Sequence, residues 1–172
     1  WSYQHVIVLG YTELLGQHQA DARTLETLLY LRTLVERTGA RVNIVSEMLH
    51  ARNRDLARAT RVDDFIVSHT LISLMLAQVS ENKHLNAVFT DLLDTQGMEI
   101  YLKAASDYVA LDQPVSFYTV VVAAARRGEV AIGYRRLGEA GPTQREGIRL
   151  NPPKELVLSY AAGDRIIVIA AD

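Results

Sequence analysis

Short β-branched runs alternate with longer helical patterns over the first half of the chain. Strands are predicted at residues 5–9, 41–48 and 64–68. Helices are predicted over residues 21–39, with Asp21 as the N-cap and Gly39 as the stop, and over residues 51–59. This alternation is typical of parallel strands joined by helical crossovers, so we expect an α/β fold over residues 4–96.

One long helix is predicted over residues 70–94. At 1.5 Å per residue it would be about 37 Å long, more than three strands can cover. Its first half is apolar almost all the way round, which indicates burial on several sides. We expect one covering body to be another copy of the chain. The predicted oligomer interface consists of Leu71, Met75, Leu76 and Val79.

The spacing of the apolar residues changes from helical to alternating near Gly97, where we place a domain boundary. Strands are predicted at residues 99–104, 130–135, 148–150 and 165–170, with a helix over 117–127. Residues 97–172 are therefore expected to form a small α+β subdomain.

Composition narrows the functional classes. The chain has 172 residues, a formal net charge of -2 and a pI near 6.2. A net charge of this sign and size produces no electrostatic attraction to nucleic acid or to an anionic membrane. It has no cysteine, which excludes disulfides and thiolate metal sites. It begins with Trp1 rather than Met, so we expect it to be a piece of a longer protein.

The first predicted strand ends in a glycine, as the first strand of a dinucleotide-binding fold does. The G-x-G-x-x-G phosphate loop does not follow, because Gly10 and Gly16 stand at the wrong spacing. NAD is therefore not expected to bind this chain. No G-x-S-x-G elbow or other nucleophile with a base at fixed spacing is present, and we do not expect an enzyme.

Acidic and imidazole side chains gather near the ends of the second and third predicted strands, where ligands bind in open α/β sheets. The candidate metal ligands are Glu47, His50, Asp63 and Asp64. Oxygen and imidazole ligands of this kind suit a divalent cation, with Ca²⁺ as the candidate. The alternative is that Glu47 pairs with a nearby arginine and that the aspartates are ordinary loop residues.

A second candidate site lies among the C-terminal strands. Arg126, Arg135 and Asn151 are candidate contacts for a small anion or a nucleotide, because guanidinium groups match phosphate geometry. The alternative is that the arginines are surface charges and the amide is a loop residue. The arginine-rich stretch over residues 52–61 contains acids and no aromatic residue, so no nucleic acid is expected as a partner.

Several segments together resemble one family. They are IVSEMLHARNRDLARATRVDDFIVS, LISLMLAQVSENKHLNAVFTDLLD, GMEIYLK, FYTVVVAAARRGEVAIGYR, LNPPKE and AAGDRIIVIAAD. The chain resembles the cytosolic regulatory region of CASTOR/POLLUX-type ion channels, a branch of the regulator-of-K⁺-conductance (RCK) domains. The resemblance implies a partial Rossmann-like sheet whose first strand here is the fourth of six. It also implies a C-terminal subdomain similar to the ligand-sensing domain of Trk-type transport regulators.

The resemblance further implies a function. The chain would be a soluble part of a membrane protein, on the cytoplasmic face, that gates a cation channel when it binds a small ligand or ion. Its partners would be other copies, in a dimer or a ring, and the transmembrane pore of the same parent chain. The alternatives are a fragment of an NAD(P)-binding oxidoreductase and a soluble regulatory subunit of a K⁺ transporter.

Overall fold

The computed structural model describes residues 3–11, 16–40, 42–50, 53, 64–94, 97–139 and 147–171, apart from the side chains of Gln17, Asp64 and Phe65. The chain forms two compact units, Trp1–Lys83 and His84–Asp172. The division between them precedes the predicted boundary near Gly97. Two functional domains over residues 4–96 and 97–172 stay a prediction.

The first unit contains a parallel sheet of three strands. They are β1 (His5–Val8), β2 (Asn43–Met48) and β3 (Asp64–Val67), in the order β1-β2-β3. Val6 pairs with Ile44, and Val45 pairs with Asp64. The predicted α/β fold with parallel strands is thus confirmed. Of the predicted helix over residues 51–59, only Asn53 is described.

Helix α1 (Gln17–Thr38) covers one face of this sheet. Its Leu28 packs with Val8 and Ile44, and all three side chains are buried. The helix ends where predicted, because Gly39 adopts φ 65° and its amide donates to the Val35 carbonyl at 2.9 Å. The predicted start was wrong. Asp21 lies in the second turn rather than at the N-cap, because its carboxylate is bonded to another segment.

The opposite face of the sheet is exposed within the described residues. The side chain of Ile7 is 71% accessible and that of Ile66 49%. Parallel sheets are normally covered on both faces. The sheet therefore presents an apolar surface that α1 does not cover.

Two helices follow β3 in place of the single predicted helix. Helix α2 (Ser68–Glu81) ends at Asn82, which has extended backbone angles (φ -146°, ψ 108°), and helix α3 (Leu85–Leu93) begins after His84. The prediction of one helix over residues 70–94 was wrong. The stretch from Ser80 to His84 is polar and has no apolar face that could pack as a helix. Asparagine also has a low helix propensity, because its side chain competes for backbone hydrogen bonds.

The second unit is an α+β structure. Strands β4 (Met98–Ala104), β9 (Arg165–Ala171), β6 (Val130–Arg135) and β7 (Ile148–Leu150) form an antiparallel sheet in that spatial order. Strands β5 (Pro114–Ser116) and β8 (Val157–Ser159) form a separate two-stranded sheet. These two short strands were not predicted.

Helix α4 (Phe117–Ala125) fills the core of this unit. Ser116 caps it by accepting from the Thr119 amide at 3.3 Å. Phe117 and Val120 are buried in one cluster with Tyr134, which β6 contributes. The core therefore lies between α4 and one face of the four-stranded sheet.

Candidate functional site

Glu47 lies on β2 near the carboxyl end of the parallel sheet. Its Oε2 atom accepts a hydrogen bond from the Gly10 amide at 2.9 Å. A Cβ atom at Gly10 would lie only 3.3 Å from the same oxygen. This close approach fastens the residues after β1 to β2, so Glu47 has a structural contact in addition to any ligand it binds.

Asp21 forms the most extensive hydrogen-bond cluster at this end of the sheet. Its side chain is 2% accessible. The carboxylate accepts from the Leu49 amide at 2.8 Å, from the His50 amide at 3.1 Å and from the Asn53 side chain at 2.6 Å. The His50 ring nitrogen Nδ1 also lies 3.1 Å from Oδ2. Asp21 thus fastens α1 to the turn after β2.

These contacts determine the charge of Asp21. Burial raises the pKa of the carboxyl, but hydrogen bonds from the Leu49 amide, Asn53 and His50 lower it by more. The net pKa lies below its ordinary value of 3.8. The group is therefore a carboxylate at neutral pH.

Two histidines meet beside this cluster. The rings of His18 and His50 are stacked, with centroids 4.9 Å apart and an interplanar angle of 15°. His18 lies in the first turn of α1, one turn before Asp21. No sequence pattern predicts this pair, because the two residues are far apart along the chain and share no motif.

The structure does not bring the predicted metal ligands into one described cluster. Glu47 contacts Gly10, whereas His50 contacts Asp21. Asp63 and the side chain of Asp64 lie outside the described residues. Among the residues that are described, no group of three or more His, Asp or Glu side chains has the geometry to hold a metal ion. The calcium site therefore stays a prediction.

The three predicted anion contacts occupy different positions in the second unit. Arg126 is exposed at the end of α4, and Arg135 is half-buried on β6 opposite Ile148. Asn151 follows β7 with φ 44°, and its amide donates to the Ile132 carbonyl at 2.8 Å. Arg135 and Asn151 lie at opposite ends of the β6–β7 pairing, which separates them by about 10 Å at 3.4 Å per residue. An anion site formed by all three residues stays a prediction.

A buried ionic cluster that the sequence did not indicate lies around Glu129. Its side chain is 8% accessible. It accepts a hydrogen bond from the Tyr108 hydroxyl and forms an ion pair with Lys103 at 3.0 Å and with Arg127 at 3.5 Å. Burial raises the pKa of Glu129, but Tyr108 and the two cations lower it by more, and the net pKa is depressed. Arg127 is two residues from Glu129, but Tyr108 and Lys103 precede Glu129 by 21 and 26 residues, so no local pattern predicts the cluster.

Helix α2 presents the predicted interface residues. Leu71 and Leu76 are 46% and 64% accessible, and Met75 and Val79 are half-buried. No residue of the helix is fully buried. An apolar helix with this exposure is uncommon on the surface of a monomer.

Comparison with curated proteins identifies relatives of the chain. It is 34% identical over 129 residues to the ion channel POLLUX of Lotus japonicus, a match that covers 74% of this chain and 13% of POLLUX. The chain belongs to the CASTOR/POLLUX family of ion channels. The family resemblance of the sequence is thereby confirmed.

A second member of the CASTOR/POLLUX family gives a longer alignment. The ion channel CASTOR of Lotus japonicus is 28% identical over 162 residues, covering 78% of this chain and 18% of CASTOR. The chain therefore spans less than a fifth of either relative. In the part of the CASTOR/POLLUX chain that the structure describes, no helix combines the length and the hydrophobicity needed to cross a bilayer.

Solved structures of RCK proteins also resemble this CASTOR/POLLUX chain. The GsuK RCK domain is 18% identical, with a TM-score of 0.37 over 97% of this chain and 30% of that chain. The GsuK channel bound to NAD is 18% identical, with a TM-score of 0.36 over 95% and 24%. No model of a protein family matches the chain.

Proposed function

We propose that the chain is a non-catalytic regulatory part of a ligand-gated cation channel, on the cytoplasmic face of the membrane. Its partners are other copies of the chain and the transmembrane pore of the same parent protein. Membership of an ion-channel family supports this proposal. The exposed apolar surface of α2 is the structural observation on which it rests.

The surface of α2 suits contact with a second copy. Leu71, Met75 and Val79 are spaced four residues apart and share one side of the helix, and Leu76 lies three residues before Val79. Association of two such surfaces removes apolar area from water at about 25 cal/mol per Å². The uncharged helix interior, which has no Asp, Glu, Lys or Arg between Ser68 and Ser80, adds no repulsion between copies.

Gating then follows from differential binding. A ligand that binds more tightly to one arrangement of subunits increases the population of that arrangement. The shift cannot exceed the difference between its binding free energies for the two arrangements. The function therefore needs a subunit contact and a ligand site, and each is tested separately.

The subunit contact is tested by Met75→Asp in the 172-residue chain. A carboxylate at the centre of an apolar contact is costly to bury, so we expect the mass measured by light scattering to fall to that of a monomer. Gln78→Asp, an exposed position on the same helix, is the matched control and should leave the mass unchanged. An unmodified chain that is already monomeric, or an oligomer that survives Met75→Asp, contradicts this interface.

The ligand is tested by calorimetric titration with Ca²⁺, NAD and a cyclic dinucleotide. The predicted site at Glu47, His50, Asp63 and Asp64 requires Ca²⁺ binding that weakens in Asp63→Asn. Glu26→Gln, which removes an exposed carboxylate from α1, is the control. Absence of Ca²⁺ binding contradicts the metal site but does not affect the proposed subunit contact.

A further inference from the structure

Two arginines lie side by side on the four-stranded sheet of the second unit. Arg135 of β6 is directly opposite Arg165 of β9 in the antiparallel register. Directly opposed residues project from the same face, with Cβ atoms about 5 Å apart. Like charges in this position destabilise a sheet unless an opposite charge offsets them.

Neither guanidinium group has a counter-charge within the described residues. The adjacent Arg136 contrasts with them, because it forms ion pairs with Glu139 and, at 3.8 Å, with Asp164. No hydrogen bond or ion pair engages the side chain of Arg135 or Arg165 in this part of the chain. Both are half-buried and have lost part of their hydration. Within the described part of the chain, the pair therefore forms an electropositive position without an anion.

A small cleft opens beside Arg165. Its volume is about 130 Å³. Short side chains contribute most of its lining, from Ala104, Ala105, Ser106, Ala161, Ala162 and Gly163. Ala104 is the cross-strand neighbour of Arg165 on the side away from Arg135. Since alanine carries only a methyl group there, it leaves room next to the guanidinium group.

Asp164 also lines the cleft but does not neutralise the pair. Its Oδ1 accepts from the Leu137 amide at 3.0 Å and its Oδ2 from the Ala161 amide at 3.0 Å. Its ion-pair partner is Arg136. The hydrogen bonds of this carboxylate thus stabilise the turn before β9.

We propose that Arg165, which lines this cleft, and Arg135, which lies opposite it on β6 and does not line the cleft, bind a phosphate monoester dianion whose phosphoryl group sits next to Arg165. Two guanidinium groups offer paired N–H donors that match phosphate oxygens, and a charge of about −2 neutralises both. At about 130 Å³ the cleft is smaller than the roughly 300–1,000 Å³ of most ligand pockets, so we place only the phosphoryl group there and the remainder of the ligand outside. This site belongs to the second unit and does not depend on channel gating.

Calorimetric titration of the 172-residue chain with inorganic phosphate and with AMP tests the site. We expect binding of one equivalent, weakened about tenfold or more in Arg135→Gln and in Arg165→Gln, because each loses charge-assisted hydrogen bonds. Arg149→Gln is the matched control. Arg149 lies on β7 opposite Tyr134, on the other face of the sheet, and its replacement should leave the affinity unchanged.

The two titrants distinguish the source of the phosphate. Tighter binding of AMP indicates a nucleotide, and equal affinities indicate free phosphate. Absence of binding by both titrants overturns the proposal, as does an affinity that neither arginine substitution changes. Circular dichroism verifies folding, and Arg135→Lys, which keeps the charge and loses the paired donors, should bind with intermediate affinity.

Thermal unfolding at low ionic strength gives a second test. Without phosphate, Arg165→Gln should raise the melting temperature, because it removes the repulsion between the two guanidinium groups. With phosphate, the unmodified chain should gain stability and Arg165→Gln should not. A lower melting temperature of Arg165→Gln without phosphate would show that the protein itself supplies a counter-charge, and that result overturns the proposal.

Discussion

The Oδ1 atom of Asp21 accepts a hydrogen bond from the backbone amide of Leu49 at 2.8 Å, across 28 residues of the chain. This bond connects the second turn of α1 to the residues directly after β2. The other carboxylate oxygen accepts from His50 and Asn53. A single buried side chain thus fixes the position of the turn at the carboxyl end of the parallel sheet, where ligands bind in open α/β folds.

Asp21→Asn should loosen this turn. The substituted amide offers one acceptor oxygen and places an N–H₂ group against donors, so at least one donor is left unsatisfied. We expect a loss of about 2–3 kcal/mol in the free energy of unfolding of the first unit. Hydrogen exchange at the Leu49 and His50 amides should accelerate, whereas Glu26→Gln should change it little, because Glu26 forms only an exposed ion pair. Unchanged exchange in Asp21→Asn contradicts this role.

The stability of the first unit should also depend on pH through Asp21. The pKa of this carboxyl is lower in the folded state than its ordinary value of 3.8. The unfolded state therefore binds the proton first, and the contribution of Asp21 is fully present above that value. It is lost as the pH falls below 3.8 towards the folded-state pKa. Urea titrations over this range should show a flatter pH dependence for Asp21→Asn, and parallel curves for the two proteins would refute the assignment.

Glu129→Gln should destabilise the second unit. The substitution leaves Lys103 and Arg127 without their carboxylate and weakens the bond from Tyr108. Removing one member of a buried ion pair costs about 3–5 kcal/mol, and the lower part of that range applies because both cations are partly exposed. Urea denaturation measures this loss.

Tyr108→Phe isolates the hydroxyl contact in the same cluster. We expect a cost of about 1.5–3 kcal/mol, as for a hydrogen bond to a charged group. The cost should shrink in a Glu129→Gln background, because the acceptor is then neutral. Tyr118→Phe is the control, since that side chain is exposed. Equal costs of Tyr108→Phe in both backgrounds would show that the two groups are not coupled.

Gly133→Ala should disrupt the pairing of β6 with β7. A Cβ atom at this position would clash with the Arg149 carbonyl oxygen, which belongs to the backbone and cannot move aside. We expect a loss of about 1–3 kcal/mol in stability, as for overpacked sites. Gly138→Ala is the matched control, because no other described residue has an atom within 4 Å of the added methyl group. A Gly133→Ala protein as stable as the control contradicts the close approach.

Local periodicity accounts for the elements that were predicted well. The strands over residues 5–9 and 130–135 and the helix stop at Gly39 each carry their signal in neighbouring residues. Period-2 runs and a left-handed glycine depend on backbone geometry within a few residues. The break at Asn82 was missed because the apolar positions on either side continue at helical spacing. The intervening residues from Ser80 to His84 are polar and exposed, and Asn82 leaves the helix with extended backbone angles.

The sequence by itself therefore determined the α/β class, the parallel direction of the first three strands, the strands of the four-stranded antiparallel sheet and the family. Only the tertiary structure decided the roles of the charged residues. The sequence predicted Asp21 as a helix cap, but its carboxylate accepts hydrogen bonds from Leu49 and Asn53. Arg165 was not predicted as a site residue, and the strand register places it opposite Arg135. The physical reason is that periodicity acts between near neighbours in the chain. The partner of a buried charge is set by which distant strand or turn is brought within hydrogen-bond distance.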